Sequence, residues 1–107
     1  MQDEIRNILN EINQNLKEIR KRKNMVKGTI NKIYTKCGNP NCKCAKGEKH
    51  EENRLTYKDS DNISKTVYLS KGKIKKVQKM VSNYKEARLL LNEILELNVK
   101  LIKLIKA

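Results

Sequence analysis

Cys37-Gly38-Asn39-Pro40-Asn41-Cys42-Lys43-Cys44-Ala45-Lys46-Gly47-Glu48-Lys49-His50 holds all three cysteines of the chain and its only histidine. The donor spacing is C-x4-C-x-C-x5-H. Three thiolates and one imidazole complete a tetrahedral shell for Zn2+, the closed arrangement of a structural site. Cys37, Cys42, Cys44 and His50 are therefore the expected ligands, and Zn2+ the expected cofactor. Gly38 permits a tight turn beside the first thiolate, and Pro40 stiffens the loop. The single residue between Cys42 and Cys44 crowds joint ligation. His50 is recruited by its distance from Cys44 alone, so Glu48 or a donor from another chain stays open as the fourth ligand. The bland alternative is three reduced thiols in a loop, or a redox relay.

Working outward, the chain needs such a staple. It has 107 residues, 37% apolar and 35% charged, with no Phe and no Trp. A core built from so little is thin, and small domains of this kind lean on metals, disulfides or partners. Three cysteines cannot all pair with one another, and nothing at the N-terminus resembles a signal peptide. A cytoplasmic location with reduced thiols is expected. No apolar run reaches the length of a bilayer span; no membrane partner is expected, and binding to an anionic membrane surface through Val99 to Lys106 is a third, lesser reading.

Glycines and the one proline punctuate residues 25–70. Leu55-Thr56-Tyr57 and Lys65-Thr66-Val67-Tyr68-Leu69 read as two strands of a hairpin, turned at Asp59-Ser60-Asp61-Asn62. Residues 1–24 read as a basic amphipathic helix with Ile5, Leu9, Ile12, Leu16 and Ile19 as its seam and Ile8 beside it. Ser70 suits an N-cap for a last helix over 71–107. There Ala87, Leu90, Ile94, Leu97, Leu101 and Leu104 keep heptad spacing, with Leu91, Leu95, Ile102 and Ile105 alongside. The expected fold class is α+β, mostly helical: N- and C-terminal helices in an antiparallel coiled coil, with a central zinc knuckle and β-hairpin. The apolar face of the last helix is broad enough for two neighbours. One would be the first helix and the other a second chain, giving a homodimer. Leu90, Leu91, Ile94, Leu97, Asn98, Leu101 and Leu104 are the expected oligomer or partner interface. Asn98 is a polar residue able to fix register there, or simply an exposed edge position.

Charge points to the partner. The formal net charge is +13 and the pI near 9.8. A field of that sign favours a polyanion, nucleic acid first, double-stranded DNA in particular. Arg20-Lys21-Arg22-Lys23 closes the first helix. Lys71, Lys73, Lys75 and Lys76 open the last, where positive charge opposes the helix dipole. Lys36, Lys43 and Lys46 lie in and beside the cysteine stretch. Antiparallel helices would gather these into one electropositive head on a helical stalk. The alternative is a set of solvated helix ends. Tyr34, Tyr57 and Tyr68 suit base stacking or, more plainly, a small hairpin core.

Catalysis finds no footing. There is no second histidine to act as a base, no activated serine and no phosphate-cradling glycine loop. Glu51-Glu52 reads as an exposed charge pair at a turn. The expectation is a protein that is not an enzyme.

Gly28-Thr29-Ile30, Tyr34-Thr35-Lys36-Cys37-Gly38, Pro40-Asn41-Cys42-Lys43-Cys44-Ala45, Gly47 and His50 form one pattern. It continues through Thr66-Val67-Tyr68, Asn83-Tyr84 and Glu93-Ile94-Leu95-Glu96-Leu97-Asn98. In these residues the chain resembles a family of small uncharacterised proteins of bacteria, archaea, phages and mobile elements. One departure is Glu51-Glu52-Asn53, where that family carries Gly-Pro-Tyr. The resemblance implies a zinc site and a mobile-element setting, and no activity. The expected function is that of a zinc-stapled DNA-binding accessory or regulatory protein, assisting a recombinase or transposase or repressing a promoter. The alternative is an interaction module docking through its helices on a recombinase, polymerase or host defence protein.

Overall fold

The computed structural model describes residues 2–35 and 50–105, Thr35 and His50 by their backbone. The elements are α1 (Gln2–Lys21), β1 (Thr29–Thr35), β2 (His50–Lys58), β3 (Ser64–Leu69) and α2 (Lys71–Leu104). The class is α+β and mostly helical. The middle, however, is a three-stranded antiparallel sheet in the order β1-β2-β3, not a two-stranded hairpin. The strand missing from the sequence reading is β1. Its Ile30 and Ile33 are three apart, so they fall on opposite faces and show no alternation. The first residues of β2, His50 to Arg54, are polar and poor strand formers. They are extended because β1 supplies a ladder, from Thr29↔Thr56 to Thr35↔His50.

Two compact units make up the chain: residues 26–81, and residues 1–25 with 82–107. In the first, Asn53, Leu55 and Leu69 are buried and share one face of the sheet. Val26 donates its amide to the Met80 carbonyl at 3.1 Å. Gly28 sits where a Cβ would lie 2.8 Å from the Thr56 carbonyl oxygen and 2.9 Å from Leu55 Cδ1. The β2–β3 turn falls at the expected residues. Asn62 takes a φ of 64°, and Asp59 Oδ1 accepts the amides of Asp61 and Ile63, each at 3.0 Å. A short polar side chain tolerates that left-handed backbone where most residues do not.

In the second unit, Asn15 Nδ2 donates to the Leu90 carbonyl and to Glu93, Arg22 reaches Glu86, and Asn83 Nδ2 donates to the Asn24 carbonyl at 3.0 Å. As the α1 number rises the α2 number falls, so the helices run antiparallel. Ala87, Ile94 and Leu97 are buried, while α1 has no fully buried residue. The seam of α1 differs from the apolar count. Ile5, Ile8, Ile12, Asn15 and Ile19 are half-buried, whereas Leu9 and Leu16 are each 45% exposed. Asn15 holds an inward position because its amide finds two acceptors on α2. A polar seam residue is invisible to a search for apolar periodicity.

Candidate functional site

Cys37, Cys42 and Cys44 lie outside the described residues, as do Lys36, Lys43, Lys46 and Glu48. What is described is the frame that carries them. Thr35 ends β1 and pairs with His50, the first residue of β2. Paired backbones in an antiparallel ladder stand about 5 Å apart. Thr35 and His50, which bracket residues 36–49 in the sequence, therefore stand at adjoining points; Cys37 follows Thr35 by two positions. Hairpin connections ordinarily take about two to five residues. A much longer one benefits from an organiser, and a Cys3His donor set in that connection fits a structural Zn2+. Among the described residues no group of His, Cys, Asp or Glu gathers to hold a metal.

The acidic neighbours of His50 are already committed. Glu51 meets Lys32 at 3.0 Å and Glu52 meets Arg54 at 2.7 Å. The Lys32 ammonium holds the Glu51 carboxyl below its ordinary range. Successive strand residues point to opposite faces, so the two carboxylates do not form an acid–base dyad.

The basic residues sort into engaged and free. Lys21 bridges to Glu18 at 3.1 Å. Arg22 spends its guanidinium on Glu86, Glu18 and the Glu18 carbonyl, and these contacts raise its pKa further. Arg22 is thus a fastener of the helix unit, while Arg20 and Lys23 are exposed beside it. The run at the start of α2 belongs to the other unit. Lys71, Lys73, Lys75 and Lys76 are exposed there, and the first turn of α2 has no acidic residue. No salt bridge engages Lys73, Lys75 or Lys76 among the described residues. Residues 26–81 carry fourteen Lys/Arg and five Asp/Glu, so +9 of the total +13 resides in this unit.

One feature escaped the sequence reading. Arg54 lies over the Tyr68 ring, 5.0 Å from its centroid, on the sheet face opposite Leu55. Tyr68 is 65% exposed and Tyr34 56%, on opposite faces of the sheet, and Tyr57 is half-buried. Only the register Arg54↔Tyr68 reveals the pair. The interface residues also divide. Ile94 and Leu97 are buried and Leu90, Leu101 and Leu104 half-buried on the side facing α1, whereas Leu91 and Asn98 are exposed. No described helix is long and apolar enough to cross a membrane.

A family model described as a domain of unknown function (DUF6788) matches residues 2–79. No curated protein and no solved structure matches the chain.

Proposed function

The chain belongs to the DUF6788 family, and from its own residues we propose that it is a non-enzymatic, zinc-stapled DNA-binding accessory or regulatory protein. Its setting, by the motif resemblance, is a phage or mobile element, where it would assist a recombinase or transposase or repress a promoter. Cys37, Cys42, Cys44 and His50 hold the Zn2+. The metal ties the connection between β1 and β2 and does no chemistry on a substrate. Three thiolates leave the centre at −1, which the lysines of the same stretch offset.

The observation that carries this reading is the cluster of exposed lysines on the first turns of α2, in a unit of charge +9. Positive charge at a helix N-terminus works against the dipole, and its retention fits a polyanionic partner. Lys71, Lys73, Lys75 and Lys76 contact phosphates, releasing counterions, and Arg54 with Tyr68 offers a stacking surface on the open sheet face. The helices of the other unit pair as a short antiparallel coiled coil.

The test is fluorescence anisotropy on a random duplex from 50 to 300 mM salt. Binding tightens as salt falls, and Lys73→Glu with Lys75→Glu and Lys76→Glu reduces both affinity and salt slope, by about one unit of slope per lysine. Absence of binding at 50 mM salt would defeat the proposal.

A further inference from the structure

We infer that the leucine flank of the helix pair is the seat of a second copy of this chain, packed two-fold and antiparallel. The inference concerns residues 1–25 and 82–107 alone and is independent of zinc and nucleic acid.

On α2, Leu91, Asn98 and Ile105 each follow an inward residue (Ala87, Ile94, Leu101) by four positions. On α1, Leu9 and Leu16 follow Ile5 and Ile12 by four. A step of four turns about 40° beyond a full turn, so each set flanks its seam in the same rotational sense. In an antiparallel pair, equal senses bring both sets to one side. The register of Asn15 with Glu93, Arg22 with Glu86 and Asn24 with Asn83 then puts Leu16 about level with Leu91 and Leu9 about level with Asn98. Leu95 and Ile102 extend the strip. Exposures there are 45% for Leu9 and Leu16, 48% for Leu91, 56% for Leu95, 67% for Ile102 and 57% for Ile105. The other flank carries Glu4, Glu11, Glu18, Glu86 and Glu93.

Two observations select a second copy as the occupant. First, joining two such strips removes on the order of 1,000 Å² from water, about the threshold of a specific interface. The helix unit needs it, since its only buried apolar side chains are Ala87, Ile94 and Leu97 among the described residues. Secondly, Asn98 stands midway between Leu91 and Ile105. A two-fold axis at that midpoint sets the amide beside its own symmetry mate, and an amide both donates and accepts. The product is a four-helix arrangement with a filled centre.

Sedimentation equilibrium of the zinc-loaded full chain, free of nucleic acid, tests this. The expected species is a dimer at tens of micromolar. Leu95→Glu with Ile102→Glu yields a monomer whose helical circular dichroism is retained, because both side chains are exposed in the single chain. A photo-crosslinker replacing Asn98 joins the same segment of two chains. A wild-type monomer, a dimer that survives the double substitution, or crosslinks only to other segments would overturn the inference. A monomer that still binds DNA with a salt slope would sink this inference alone and leave the lysine surface intact.

Discussion

Thr35 and His50 face each other as the last rung of the β1–β2 ladder. The rung brackets the cysteine-bearing stretch, so loss of the proposed zinc would act first on the β1–β2 pairing. Elemental analysis should find one zinc per chain. Cys42→Ser, or excess chelator, should remove the metal and unfold residues 26–81, because in small modules binding free energy is folding free energy, about 10 kcal/mol or more. A chelated protein with an unchanged melting temperature would refute the zinc assignment.

Gly28 and Gly72 should respond to alanine in opposite directions. At Gly28 the new methyl meets a backbone carbonyl and the Leu55 side chain below 3.0 Å, and nothing lies within 4 Å at Gly72. Gly28→Ala should cost about 1–3 kcal/mol. Gly72→Ala, on the first turn of α2, should be neutral or stabilise by a few tenths up to about 1 kcal/mol. Urea unfolding of both variants decides.

Asn83 is buried, with its amide on the Asn24 carbonyl. Asn83→Ala strands that carbonyl where the chain leaves α1. The expected loss is about 1–3 kcal/mol, read by thermal melting. No loss would mean that solvent replaces the bond.

The Asp59 carboxyl is held below its ordinary range, first by the Ile63 amide, then by Lys65 and the Asp61 amide. Its folded pKa is depressed, so its contribution is full above the unfolded value of about 3.9 and fades as pH falls through the folded one. Stability should therefore drop below about pH 4, and Asp59→Asn should flatten that drop. Denaturant titrations of both proteins at pH 6, with Zn2+ bound, should find Asp59→Asn the less stable, and the Asp59 carboxyl resonance followed downward from pH 6 should stay ionised below the ordinary range.

Much of this molecule is legible in its residues. The α2 seam is legible because Leu90, Ile94, Leu97, Leu101 and Leu104 repeat at heptad spacing, and the β2–β3 turn because Asp and Asn supply its hydrogen bonds and its left-handed φ. β1 is not, since its extended form depends on a partner strand and not on its own alternation. Nor is the role of Asn15, whose inward position is explained only by acceptors 75 and 78 residues away. The split between Arg22, a fastener, and Lys73 is likewise tertiary: both belong to similar basic runs, and among the described residues only Arg22 meets carboxylates.

The Arg22–Glu18–Glu86 cluster and the unit of charge +9 have an unlike relation to the ions around them. Screening weakens attraction and repulsion alike. Raising the electrolyte concentration loosens the arginine clasp of the helices, yet relieves the crowded lysines around the sheet. A single chain thus carries two halves whose tolerance of brine runs in contrary directions.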